Sequence, residues 1–288
     1  MRLNEEAIVL EIHEDRMLGI LHRSEDRARL GVVVIVGGPQ YRVGSHRQFV
    51  LLARALAGAG FPVLRFDHRG IGDSTGAPRT FANIDLDVRI AIDAMIARTG
   101  VERIVLWGLC DAVSAAMLYA HSDPRVVGLV LLNPWVHAVG TEAQVRIRTY
   151  YTGQLRSATF WRKVLSLNLD WRDSLGSLWG YVKSAVRARL ARRTPQADDF
   201  IERMRRGWSA FHGSALVILS GDDLTAAEFR QLTSESSDWR ALLARKSVRT
   251  LTFPDANHTF ARAEWRAGVE RETVAWLSLL DARETETR

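Results

Sequence analysis

Arg103-Ile104-Val105-Leu106-Trp107-Gly108-Leu109-Cys110-Asp111-Ala112 is the stretch on which the fold turns. Arg103 to Trp107 is a short apolar run of the kind that forms a buried strand, and Ala112 to His121 continues at helical spacing. Strand and helix are thus joined by a tight turn. In such a turn the backbones at Gly108 and Ala112 come against neighbouring elements, which keeps both residues small. The residue between them, Cys110, is projected at the start of the helix. The pattern is Gly-x-nucleophile-x-small. A lone cysteine elsewhere is most often a small buried hydrophobe; its place in this turn favours a reactive thiol.

Working outward, the same strand–helix alternation repeats. Gly31 to Val36 is a continuous β-branched run, and His46 to Ala59 sets Phe49, Val50, Leu52, Ala53 and Leu56 at helical spacing before Gly60. Phe61 to Phe66 reads as the next strand. Ile84, Val88, Ala91, Ile92, Met95 and Ile96 then stripe a helix that Gly100 ends. Val126 to Leu132 follows as a further buried strand. Upstream, Ala7 to His13 and Met17 to His22, separated by Glu14-Asp15-Arg16, read as an antiparallel edge hairpin. The fold class is therefore α/β: a mostly parallel sheet with helices on both faces and an N-terminal hairpin.

From Pro134 to about His212 the pattern changes. No strand is evident, five of the nine tryptophans lie there, and Thr141 to His212 carries 14 Arg and Lys against 6 Asp and Glu, a local charge of +8. The remainder has 25 against 27, within a chain total of +6. This reads as a helical cap, 136–212, inserted into a core domain made of 1–135 and 213–288. Strands resume at Ala215 to Leu219 and Val248 to Phe253. A last amphipathic helix carries Trp265, Val269, Trp276, Leu277 and Leu280.

Ligands of open parallel sheets bind beyond the carboxyl ends of the strands, so the loops there carry the chemistry. Ser220-Gly221-Asp222-Asp223-Leu224 follows one strand and Ala256-Asn257-His258-Thr259-Phe260 follows the last. Nucleophile, acid and histidine then occur in the order Cys110, Asp223, His258. Asp223 is preferred over Asp222 because the acid usually stands beyond the residue after the glycine. One of the pair would cap the next helix. Asn133, after its own strand, is an alternative partner for the histidine. The oxyanion donors expected are the N–H groups of Asp111, after the nucleophile, and Gly38, since Pro39 has no N–H to give. A helix N-terminus and a histidinium together favour a thiolate, and an Asp111 carboxylate pointing inward would oppose it.

These motifs resemble those of α/β-hydrolases of the serine-aminopeptidase-like group, with Asp67-His68-Arg69-Gly70-Ile71-Gly72-Asp73-Ser74 resembling the family's D-x-R-G-x-G-x-S loop. The chain is most similar to the exosortase A system-associated hydrolase 1 group. That similarity runs through residues 36–47, Trp107-Gly108-Leu109-Cys110-Asp111 and Leu219 to Ala226. The resemblance spans essentially the whole chain. It implies an α/β-hydrolase fold with a cap, bacterial origin and a role beside exopolysaccharide and protein-sorting machinery. Two features depart from the wider family: Val36-Gly37 stands where His-Gly is common, and cysteine replaces serine.

The expected chemistry is hydrolysis or transfer of activated acyl groups such as esters, thioesters or lactones, as in dienelactone hydrolases, without cofactor or metal. The substrate would be a small molecule or a carrier-linked acyl group, anionic if the basic insertion recruits it. Trp135, Tyr150, Tyr151, Trp161, Trp171 and Trp179 are candidates for an apolar acyl pocket. The 288 residues are 47% hydrophobic and 25% charged, as in ordinary globular proteins, which excludes disordered and fibrous classes. No apolar run approaches the ~20 residues of a membrane span, leaving only peripheral membrane contact. A single cysteine and a charged first segment predict a cytoplasmic protein. No nucleic-acid-binding signature accompanies the arginines. A hydrolase-fold scaffold without turnover is the competing reading.

Overall fold

A computed structural model describes residues 4–25, 28–38, 40–136 and 195–285. Its eight strands are β1 Glu5–Ile12, β2 Asp15–His22, β3 Leu30–Val34, β4 Val63–Phe66, β5 Arg103–Leu109, β6 Val126–Leu132, β7 Ser214–Asp222 and β8 Val248–Asn257. The helices among the described residues are α1 Gln48–Gly58, α2 Asp85–Thr99, α3 Asp111–Tyr119, α4 Pro195–Ala210, α5 Leu224–Glu235, α6 Ser237–Leu243 and α7 Ala263–Thr285. All eight strands form one sheet in the order β1-β2-β4-β3-β5-β6-β7-β8. The hairpin pairs are antiparallel and every pair from β4 to β8 is parallel.

The fold class expected from the sequence is the one observed. Two helices, α5 and α6, stand between β7 and β8. Ser236 ends α5 and caps α6, its side chain accepting a hydrogen bond from Trp239 N–H, so the chain turns without a glycine to mark the break.

Alternation along β3 shows why helices cover both faces. Leu30, Val32 and Val34 join one buried cluster with Phe49, Leu52 and Leu56 of α1 and Trp276, Leu277 and Leu280 of α7. Gly31, on the opposite face, lies against Met95 of α2; a Cβ there would come within 2.6 Å of the Met95 methyl. A strand buried on both sides must be apolar at every position, which is what the unbroken Val-rich run encodes.

Strand order then places the site. The chain moves from β3 outward to β4, and returns past β3 to form β5 on its other side. That reversal is a topological switch point, and the loops leaving β3 and β5 diverge across it to open a crevice. Because Val34 pairs with Trp107, Gly37-Gly38 and Cys110-Asp111 leave the sheet side by side.

The chain divides into two compact units, Met1–Trp135 with Arg203–Arg288, and Val136–Glu202. In the first, Trp208 is buried against Trp239, with ring centroids 5.9 Å apart. Of the second, only Val136, the backbone of 195–199 and residues 200–202 are described. The cap expected at 136–212 thus lies mostly outside the described residues, with Tyr150, Tyr151, Trp161, Trp171, Trp179 and the arginines of 141–194. Among the described residues no helix is long and apolar enough to cross a membrane.

Gly221 is the tightest point between β7 and β8: a Cβ there would fall 1.8 Å from the Pro254 carbonyl oxygen. Backbone cannot yield as a side-chain tip does, so Gly221→Ala should cost about 2–3 kcal/mol in urea unfolding. Gly60→Ala, with open space around it despite its positive φ, should cost only about 1 kcal/mol.

Candidate active site

Cys110 sits in the β5–α3 turn with φ 63° and ψ −125°, a conformation that side-chain-bearing residues rarely adopt. Such backbone costs on the order of 1–3 kcal/mol and persists only where surroundings impose it. They do so here. Cys110 N–H donates to Leu132 O at 2.9 Å, while Cys110 O accepts from Val113 N–H at 3.1 Å. A Cβ on Gly108 would lie 2.9 Å from the Ala112 carbonyl carbon, so any larger residue would push the helix off its strand. The cysteine is held partly exposed at the head of α3.

His258 follows β8 and Asp223 follows β7. His258 Nδ1 and Asp223 Oδ1 are 3.0 Å apart, and the Asp223 side chain is almost fully buried. Asp223 Oδ2 accepts from Ala226 N–H at 2.9 Å, capping α5. The sequence left two duties for two aspartates; one carboxylate performs both, one oxygen each. Asp222 is exposed at the end of β7, in register with Asn257.

Burial works against charge on His258, but hydrogen bonds with Asp223 and Cys110, and the charges on both, outweigh it and raise its pKa to about 10. The imidazole is therefore protonated at neutral pH.

Asn133, the alternative partner for the histidine, does other work. It is fully buried with φ 45°. Its Nδ2 donates to Ser220 Oγ at 2.8 Å and to the His258 carbonyl oxygen at 3.0 Å, and its Oδ1 accepts from Ser220 N–H at 2.8 Å. Ser220 Oγ in turn donates to Asn257 O at 2.9 Å. Asn133 thus ties the ends of β6, β7 and β8 together and grips the backbone of His258, leaving the imidazole to Asp223. Sequence marked Asn133 only by its place after a strand; Ser220 carried no signal.

The two expected oxyanion donors are brought together, but one of them, Gly38 N–H, is occupied. Gly38 N–H donates to Asp111 Oδ2 at 2.9 Å. Burial raises the Asp111 pKa, while the N–H groups of Gly38, Asp111 and Ala112, and the nearby His68, pull it back. The side chain of Asp111 thus takes up the Gly38 donor that stands beside its own N–H. Pro39 lies outside the described residues.

Beside this point is a cavity of about 280 Å³, lined by Gly38, His68, Arg79, Phe81 and Asp111 among others. Phe81 meets Trp135 edge-on, 5.3 Å between centroids. The Asp67-to-Ser74 loop that delivers His68 is itself braced from within. Arg69 makes two side-chain hydrogen bonds to the fully buried Asp87, and Asp67 accepts from Arg42 N–H and Asp73 N–H. No group of His, Cys, Asp and Glu suited to a metal ion occurs among the described residues.

The raised His258 pKa has a consequence for stability with a definite sign. The stabilisation is complete below the ordinary value of 6.5 and is lost as pH rises through about 10. Urea unfolding at pH 6 and pH 10 should show that loss in the native chain and in Asp222→Asn. It should be largely absent in Asp223→Asn, which removes the carboxylate on Nδ1.

With this geometry in view, the chain can be set beside known proteins. Human Protein ABHD12B is 38% identical over 116 residues, which make up 38% of this chain and 31% of that protein, so the match spans under a third of that relative's length. The Pyrococcus furiosus esterase Pf2001 superposes with a TM-score of 0.65 at 14% identity, covering 97% of this chain and 92% of that one. The proline iminopeptidase of Mycobacterium smegmatis gives a TM-score of 0.60 at 16% identity, with 97% and 100% covered. Est1E of Butyrivibrio proteoclasticus, solved with ferulic acid, gives 0.62 at 14%, with 96% and 100% covered. At such identities the superpositions speak for the fold alone. Residues 32–288 match the family described as the alpha/beta hydrolase fold, most of the chain, and the protein belongs to that family.

Proposed function

We propose that the protein is an acyl hydrolase that works through Cys110, His258 and Asp223. The observation that carries this reading is the pairing of His258 with a buried carboxylate at 3.0 Å, with the strained Cys110 turn supplying one of the groups that raise the His258 pKa. In this mechanism the Cys110 sulfur attacks an acyl carbonyl carbon and an S–C bond forms. The carbonyl π pair moves to oxygen as an oxyanion, and its collapse expels the alcohol or thiol, which takes the His258 proton. Water, deprotonated by His258, then attacks the thioester and releases the acid. Asp223 holds the imidazole in the orientation both steps need.

A thiolate attacks activated acyl groups and leaves them readily, which favours esters, thioesters and lactones over unactivated amides, and permits acyl transfer where another nucleophile replaces water. A place beside exopolysaccharide and exosortase systems rests on the residues 36–47, 107–111 and 219–226 quoted above. A second reading, a hydrolase-fold scaffold without turnover, is favoured by one observation: the Asp111 carboxylate on Gly38 N–H.

Incubation with p-nitrophenyl butyrate followed by mass spectrometry should place the butyryl group on Cys110. Cys110→Ala should abolish turnover with little change in unfolding free energy, and Cys110→Ser should retain some activity. Acylation elsewhere, or an unreactive Cys110 in a folded chain, would favour the scaffold.

The charge of +8 in residues 141–212 supports a cap that recruits an anionic or carrier-linked acyl group. Steering of this kind acts on association, so kcat/KM for an anionic thioester should fall as salt rises, while a neutral ester should be nearly unaffected. Equal salt sensitivity would leave those arginines as solvated surface.

A further inference from the structure

Asp111 Oδ1 is buried and has no hydrogen-bond partner of good geometry among the described residues. Its only well-formed bond is the one from Gly38 N–H to Oδ2. Gly37 makes room for it, since a Cβ there would lie 2.0 Å from Oδ1. A buried carboxylate oxygen left without a donor is costly, and costlier when charged.

Across the same cavity, Arg79 has the complementary defect. Its Nε is buried without a partner. Among the described residues its one hydrogen bond is long, 3.4 Å from Nη1 to Asn83 O, and no carboxylate pairs with it. Two residues of opposite charge, each with one buried polar atom left unpartnered, therefore line one cavity. His68 also lines that volume, but burial lowers its pKa and its Nδ1 is engaged with Arg69 O at 3.1 Å, so the available cation is Arg79.

We propose that Asp111 gates the oxyanion hole and that Arg79 is the positioning residue that draws its carboxylate aside. In the closed arrangement the carboxylate holds Gly38 N–H and an incoming carbonyl oxygen has nowhere to place its charge. In the open arrangement Asp111 pairs with Arg79 across the cavity, both orphaned atoms gain partners, and the N–H groups of Gly38 and Asp111 are free for the oxyanion. The substrate's own carbonyl shifts the balance by binding only the open form. This proposal rests on Cys110 being the nucleophile, and its test separates the two.

The test uses hexanal and iodoacetamide on the full chain. Hexanal takes the Cys110 sulfur at its carbonyl carbon: an S–C bond forms, the π pair moves to oxygen, the proton carried by His258 stays there or passes to that oxygen, and nothing leaves. The adduct oxygen needs the hole. Iodoacetamide alkylates the sulfur with loss of iodide and does not. Protection of Cys110 from alkylation, read by mass spectrometry, therefore reports hexanal affinity without any turnover.

Asp111→Ala should tighten hexanal about tenfold or more by unblocking a donor pair of the kind whose loss costs ~10²-fold. Arg79→Gln should weaken hexanal about fivefold, a modest coupling between neighbours, and Arg79→Lys should restore most of the loss. In the Asp111→Ala background Arg79→Gln should change nothing. Equal loss from Arg79→Gln in both backgrounds, or weaker hexanal binding in Asp111→Ala, would overturn the gate. Alkylation at Cys110 with hexanal behaving in those ways would leave the nucleophile standing. A Cys110 that resists iodoacetamide in every variant would overturn the nucleophile and the gate with it. The Arg79 variants decide the matter even if Asp111→Ala folds poorly.

Discussion

The backbone contact between Gly108 and Ala112 is the constraint on which the rest of this molecule depends. It lets α3 start immediately at the end of β5, and so forces Cys110 into a backbone conformation that an isolated peptide would avoid. The strain is met by hydrogen bonds to Leu132 and Val113, groups that exist only because β6 lies alongside β5 and α3 continues beyond. The turn therefore holds only inside the finished sheet. In return, Cys110 is fixed at the positive end of a helix with little freedom to turn away.

Around that turn the carboxyl ends of four parallel strands must agree in height. Asn133 sets that agreement by spending its amide on Ser220 and on the His258 carbonyl, with Ser220 passing the link on to Asn257. A fully buried polar side chain is tolerable only when its groups are matched, and here each of those bonds also aligns a loop. Asp223 shows the same economy. Capping α5 with one oxygen holds the carboxylate still, so the other oxygen meets the imidazole at 3.0 Å without a further ordering cost.

Opposite demands meet at the start of α3. The features that draw charge to Cys110, a helix N-terminus and converging N–H groups, draw any nearby anion, and the nearest is the carboxylate of the next residue. Asp111 settles on Gly38 N–H because its carboxylate gains a donor there, at the cost of one oxygen without a partner. The His258 imidazolium answers with positive charge from the other side, supported by Asp223 and Cys110. The Asp111 carboxylate thus holds a backbone donor that the turn would otherwise present beside Cys110.

Sequence alone determined the fold class, because periodicity is a local property: a strand buried on both faces is apolar throughout, and a helix over a sheet is striped. It also placed Cys110, Asp223 and His258 in loops that the strand order carries to one edge. It did not distinguish the two roles of Asp223, since a cap and an imidazole partner lie in different directions from one carboxylate. Nor did it reveal Ser220, an unremarkable serine made structural by its neighbour across β6. The blocked Gly38 donor, and Arg79 on the same cavity, were beyond its reach as well. They depend on β3 pairing directly with β5, which brings residues 38 and 111 together although 73 positions separate them. A contact made by sheet register leaves no period or spacing in the chain, and only the assembled tertiary structure decides which carboxylate reaches which N–H.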